Sequence, residues 1–221
     1  MTNEEKDRII YALEYVCDEK RDSRARPFIH GGYIYATNGS VIVRRWLTEE
    51  DSPLFADYAA RENTPTKESV EGLFDMPQKR KVGRCKSPAD VWDGLVGCRR
   101  KHQETYEEQM KALESYICPC CENTVYMDGD RLVVEETAEQ NLITRYGIKV
   151  ATNEGNLIFA GKPVYYAVSC IRRLGKVVDI GVYARNLQIV GLGFECLIAG
   201  HNESTEYDEP KTEIVGTFEL N

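Results

Sequence analysis

Arg26-Pro27-Phe28-Ile29-His30-Gly31-Gly32-Tyr33-Ile34-Tyr35-Ala36-Thr37-Asn38-Gly39-Ser40-Val41-Ile42-Val43 is the stretch that decides the fold. Three short β-prone runs are separated by Gly31-Gly32 and Asn38-Gly39, and Asn-Gly between apolar runs is a strong hairpin signal. Pro27 disfavours helix at Arg26, so the chain enters the first run extended. Upstream, Thr2-Asn3-Glu4-Glu5 fits a capping box. Ile9, Ile10, Leu13, Val16 and Cys17 follow at helical spacing, which predicts a helix from about residue 3 to 20. The order at this end is helix, strand, strand, strand.

The far end has the same order. Ile148 to Ala151 and Leu157 to Phe159 flank a turn at Asn153 to Asn156. Pro163 then opens a helix with Val164, Ala167, Val168, Ile171 and Leu174 on one stripe, and Gly175 ends it. Three strands are expected at Val177 to Tyr183, Leu187 to Val190 and Phe194 to Ala199. Two such units form a weak internal repeat, and helices layered on an antiparallel sheet give an α+β class. Between them, Thr48 to Asp75 is turn-rich, with short helices expected around Leu54 to Arg61 and Glu68 to Phe74. Ser87-Pro88 reads as the cap and first residue of a long helix, with a break at Gly94 or Gly97 open. Val125 to Met127 and Leu132 to Val134 read as a hairpin around Asp128-Gly129-Asp130. The expected division is a first half-unit at 1–47, a helical middle at 48–121, a second half-unit at 122–202 and an acidic tail with a final strand at 203–221.

Composition narrows the classes. With 221 residues, 42% of them apolar, the chain can build a core, and disorder is excluded as its main state. Leu192 to Ala199, the longest apolar run, is broken by Gly193 and Glu195, and a membrane span needs about 20 residues. Met1 through Arg8 does not read as a secretory signal, so a cytoplasmic location is expected. Eight cysteines then read as thiols or metal ligands before disulfides.

Arg26 to Ile34 followed by Ala36 to Val43 resembles the opening of bacterial DNA polymerase sliding clamps, with Asn38 where the family usually has aspartate. Val70-Glu71-Gly72-Leu73-Phe74 is similar to the segment joining the two halves of a clamp domain. Gly161 to Ala199 looks like a clamp's closing helix and three strands. The two blocks cover about a hundred residues, and this chain is too short for the three domains of a bacterial clamp. The resemblance implies a DNA-clamp-like fold of helix-on-sheet repeats and a non-catalytic, DNA-associated role. It also implies replication or repair partners recognised through peptide motifs, and a ring built from several copies.

Charge bears on that role. The net charge of −8 hides a surplus of six positive charges between Lys79 and His102, from Lys79, Arg80, Lys81, Arg84, Lys86, Arg99, Arg100 and Lys101 against Asp90 and Asp93. A second basic run holds Lys162, Arg172, Arg173 and Lys176. Basic faces of this kind suit duplex DNA. The first helix opposes the idea, because Glu4, Glu5, Asp7, Glu14, Asp18 and Glu19 outnumber its bases. The rival reading is a protein-interaction module on the same scaffold that does not touch DNA, or a small zinc-stabilised regulatory protein.

Cys118-Pro119-Cys120-Cys121 has the spacing of a zinc knuckle at Cys118 and Cys121. Cys98 and His102, four apart on one helical face, would complete a site of three cysteines and a histidine, with Cys85 in reserve. A redox role for Cys118 and Cys121 lacks the strand-to-helix setting of thioredoxin-like motifs, and Cys17, Cys170 and Cys196 read as core residues. His30, His102 and His201 fit no nucleophile-base arrangement. Nucleophile elbow, phosphate loop and dinucleotide fingerprint are all missing, so an enzyme is not expected.

Overall fold

The computed structural model describes residues 1–79, 83–85, 87–120, 123–128, 131–134, 146–152, 155–202 and 213–220. The capping box forms as read: the Thr2 amide donates to Glu5 Oε2 at 2.8 Å, and the Glu5 amide to Thr2 Oγ1 at 3.2 Å. Helix α1 (Asn3–Glu14) buries Ile9, Ile10, Ala12 and Leu13 but stops well short of residue 20. Its last turn carries no base, and Asp18 and Glu19 just beyond would oppose the dipole of a longer helix. Val16 is still fully buried from the turn after α1, so the apolar period outlasts the helix.

The predicted hairpin strands are β1 (Phe28–His30), β2 (Tyr33–Thr37) and β3 (Val41–Trp46). Asn38 Oδ1 accepts from the amides of Ser40 and Val41 at 3.0 and 2.9 Å, and Gly39 takes a φ of +96° that other residues resist. A 3-10 segment at Ser52–Tyr58 and helix α2 (Lys67–Lys79) follow. After β4 (Gly83–Arg84), helix α3 runs unbroken from Pro88 to Ala112, capped by Ser87. Then come β5 (Ser115–Ile117), β6 (Thr124–Asp128), β7 (Arg131–Val134), β8 (Tyr146–Thr152) and β9 (Gly155–Ala160). Helix α4 (Gly161–Leu174), β10 (Val177–Tyr183), β11 (Asn186–Gly191), β12 (Phe194–Ala199), β13 (His201–Asn202) and β14 (Glu213–Glu219) complete the order.

The architecture is α+β. Three strands from each end share one seven-stranded sheet, ordered β1-β2-β3-β12-β11-β10-β4. Its seam is the antiparallel β3–β12 pair, with Ile42 opposite Leu197 and Val43 opposite Cys196. α1 and α4 cover one face, where Leu13, Ala36, Val43, Ala167, Ile189 and Cys196 are fully buried in the main core. α2 covers the other through Val70 and Phe74, against Phe28, Tyr35, Ile42, Tyr183 and Leu197.

A four-stranded sheet, β13-β9-β8-β14, adjoins α3, and β14 runs parallel to β8. The glycines suspected of breaking α3 serve contact instead. A Cβ on Gly94 would strike the Phe218 ring of β14, so the missing side chain lets strand and helix approach. The remaining sheet, β5-β6-β7, includes the expected hairpin, with Val125 opposite Val134. No described helix is long and apolar enough to cross a membrane.

Candidate functional site

A groove of about 400 Å³ opens where the seam of the large sheet meets α2. Its apolar lining comes from Val41, Ile42, Val70, Leu73 and Leu197, with the cross-strand pair Ile42–Leu197 at the seam itself. Thr37, Ser40, Ser69 and Asn186 add polar atoms. Leu73, on the α2 side of the groove, is 44% exposed. The walls are held from outside. The Ala199 amide donates to the Ser40 carbonyl at 2.8 Å across the two ends, and Tyr183 Oη donates to the Leu73 carbonyl at 2.6 Å, tying α2 to β10.

Arg24 brings the groove a positive charge. Its guanidinium donates to the Asn38 carbonyl at 3.2 Å and lies against Gly39, whose missing Cβ leaves it room. Among the described residues Arg24 has no acidic partner. Deeper under α2, Arg44 bonds Glu195 at 2.7 Å and stacks over the Phe74 and Tyr33 rings at 4.2 and 4.5 Å. Tyr35 is fully buried beside it, and burial pushes its hydroxyl up to about 12 against the pull of Arg44. The Tyr35 hydroxyl and Gln188 Oε1 are buried without hydrogen-bond partners among the described residues.

The candidate phosphate contacts divide into two groups. Arg99 donates to Ser169 Oγ at 2.9 Å and sits 5.3 Å from the Tyr165 ring centre, binding α3 to α4. Arg173 donates to the Ser169 carbonyl at 2.7 Å and to Tyr15 Oη at 3.3 Å, over the Tyr15 and Tyr11 rings, binding α4 to the end of α1. Both guanidiniums are committed to packing. Arg100, Lys101, Lys162, Arg172 and Lys176 are exposed, and among the described residues only Arg100 of these lies near an acid, Glu104 at 4.0 Å. Arg80, Lys81, Lys86 and the side chains of Lys79 and Arg84 lie outside the described part.

The described candidate metal ligands fall on α3 and on the turn after β5. Cys98 and His102 are buried on the inner side of α3, the His102 ring 5.4 Å from that of Tyr165 on α4. Burial raises the Cys98 thiol to about 12, and burial with the Lys162 charge lowers His102 to about 4. Cys118 is half-buried and Cys120 exposed at the turn after β5, while Cys121 lies outside the described residues. Among the described residues no three of His, Cys, Asp or Glu come together as a metal group. Cys170 and Cys196 are fully buried, as read. Cys17 is only half-buried, its thiol raised to about 12 mainly by burial.

Neither a protein-family model nor a curated protein matches the chain. The lining of the groove comes from five separate segments of the chain, so no single stretch of sequence announces it. The clue available was the pairing of the Thr37–Ser40 turn with Val70 and Leu73, both quoted for the resemblance.

Proposed function

We propose that this chain is a non-catalytic, sliding-clamp-like protein that docks a short apolar peptide segment of a partner in the seam groove. The groove carries the reading: apolar residues from both ends and from α2 surround a cavity of about 400 Å³, and Leu73 stays exposed above it. Such a concave surface with a few polar groups suits two or three apolar side chains of an extended segment. Arg24 favours a carboxylate in that segment.

A panel of labelled dodecapeptides carrying adjacent Leu and Phe residues, read by fluorescence anisotropy, tests it. Binders are expected to weaken about tenfold on Leu73→Asp, the worth of one apolar anchor. A panel with no binders, or binders indifferent to Leu73→Asp, defeats the reading.

DNA contact is the second reading, favoured by the exposed Lys162, Arg172 and Lys176 on and just after α4. Duplex affinity should then fall steeply with salt, and Arg172→Glu with Lys176→Glu should flatten that slope. Absence of binding at low salt would leave the peptide-docking role alone.

A further inference from the structure

Asn38-Gly39 is the only asparagine–glycine pair in the chain, and it sits on the β2–β3 turn, where Gly39 lines the groove. The turn builds a reactive setting around the Asn38 side chain. Asn38 Oδ1 accepts from the Ser40 and Val41 amides at 3.0 and 2.9 Å, so two donors converge on one carbonyl oxygen. The Gly39 amide donates to Thr37 Oγ1 at 3.0 Å, and that hydroxyl donates in turn to the Val41 carbonyl at 2.7 Å. Gly39 is exposed and has no Cβ to shield its nitrogen. A nucleophile, its proton acceptor and a pair of donors therefore surround the Asn38 side-chain carbon. The donor distances are those that stabilise charge developing on an attacked carbonyl oxygen.

We propose that Asn38 is a self-modifying site, converted in the folded protein to aspartate or isoaspartate, and that the new carboxylate neutralises the positive end of the groove. The Gly39 nitrogen bonds to the Asn38 side-chain carbon, and its proton passes along the hydrogen bond to Thr37 Oγ1 and out to solvent through the groove, which Thr37 lines. The carbon–nitrogen bond of the side-chain amide breaks, and ammonia leaves. Water then opens the cyclic imide. Attack at the side-chain carbonyl gives aspartate, and attack at the main-chain carbonyl gives isoaspartate. Water is consumed, ammonia is released, and nothing is oxidised or reduced. Arg24 is in place for the product, since its guanidinium already donates to the Asn38 carbonyl at 3.2 Å and lies against Gly39. A carboxylate on that residue pairs with Arg24 and keeps the two amide donors through stronger, charge-assisted bonds. The effect on acidic ligands rests on the peptide-docking reading; the conversion itself does not.

The test ages the full chain at neutral pH, folded and in parallel in concentrated urea, and follows intact mass, peptide mass after proteolysis and isoaspartate content. A mass gain of water minus ammonia is expected at Asn38, at least as fast in the folded chain as in urea. Thr37→Val should slow the folded reaction roughly tenfold, a hydroxyl being a weaker acceptor than a full general base, and should leave the reaction in urea unchanged. Thr37→Ser, which keeps the hydroxyl, should keep the rate. Asn38→Asp supplies the product directly. Its carboxyl, followed by NMR, should titrate below the ordinary aspartate value, and Arg24→Ala should remove about one unit of that depression. Acidic members of the dodecapeptide panel should bind Asn38→Asp several-fold more weakly, and neutral members equally well. Slower conversion in the folded chain than in urea, conversion at another asparagine with Asn38 intact, or a rate unaltered by Thr37→Val would overturn the self-modifying site. A carboxyl indifferent to Arg24 would overturn the neutralisation. A panel without binders would strike the docking reading alone, with the mass and NMR results still deciding the conversion and the pairing.

Discussion

The two faces of the seven-stranded sheet are built on different principles. Under α1 and α4 the contacts are apolar and the burial complete, with Leu13, Val43, Ile189 and Cys196 all inaccessible. Under α2 the same strands present Tyr35, Arg44, Gln188 and Glu195, two of them with unpartnered buried atoms, and a groove remains open at the seam. The closed face holds the fold together. The other is incompletely covered, with the groove left open beside α2.

The contrast can be broken most forcefully on the closed face. Leu13→Ala should cost about 3 kcal/mol in urea unfolding, the transfer loss plus an unrefilled cavity. A cost near zero would mean that the helical face is loosely packed. His102, in the α3–α4 seam behind that face, gives the next effect. Its folded pKa is lowered to about 4 by burial and by Lys162, with the Tyr165 ring as its neighbour, so the fold favours the neutral ring. The unfolded chain takes up a proton near pH 6.5, so stability is full above that value, declines as pH drops toward 4, and then levels off. The total is on the order of 3 kcal/mol, and His102→Leu should flatten this part of the pH–stability curve.

On the open face, Arg44→Ala should cost about 2 kcal/mol, leaving Glu195 without its partner and removing a cation from two aromatic rings. Gly39→Ala should cost about 1 kcal/mol, since alanine resists the positive φ and crowds Arg24. Leu73→Asp should change stability least, by about 0.5 kcal/mol or less, because the residue is already wet. If Leu73→Asp proved as costly as Leu13→Ala, the distinction between the faces would fail.

Local signals in the sequence carried most of the framework. The Thr2–Glu5 cap, the Asn38-Gly39 turn and the Val164-to-Leu174 stripe each declare their structure within a few residues. Pairings between distant segments had no such signal: nothing around Ile214 or Phe218 announces a parallel partner in β8, and Gly94 reads as a helix breaker until Phe218 is seen against it. The candidate site was less readable for the same reason. Arg99 and Arg173 add to a charge count, yet their geometry makes them rivets between helices.

The β3–β12 seam has a consequence for how the molecule is made. Arg44 and Glu195, which meet across it, are 151 residues apart. At ribosomal rates of about 5–20 residues per second, the nascent β3 edge waits roughly eight to thirty seconds for its neighbour to be synthesised. Throughout that interval an apolar, unpaired strand is open to other nascent chains. Slowing translation within the middle segment should therefore raise the yield of aggregated product, even though the finished protein is unchanged.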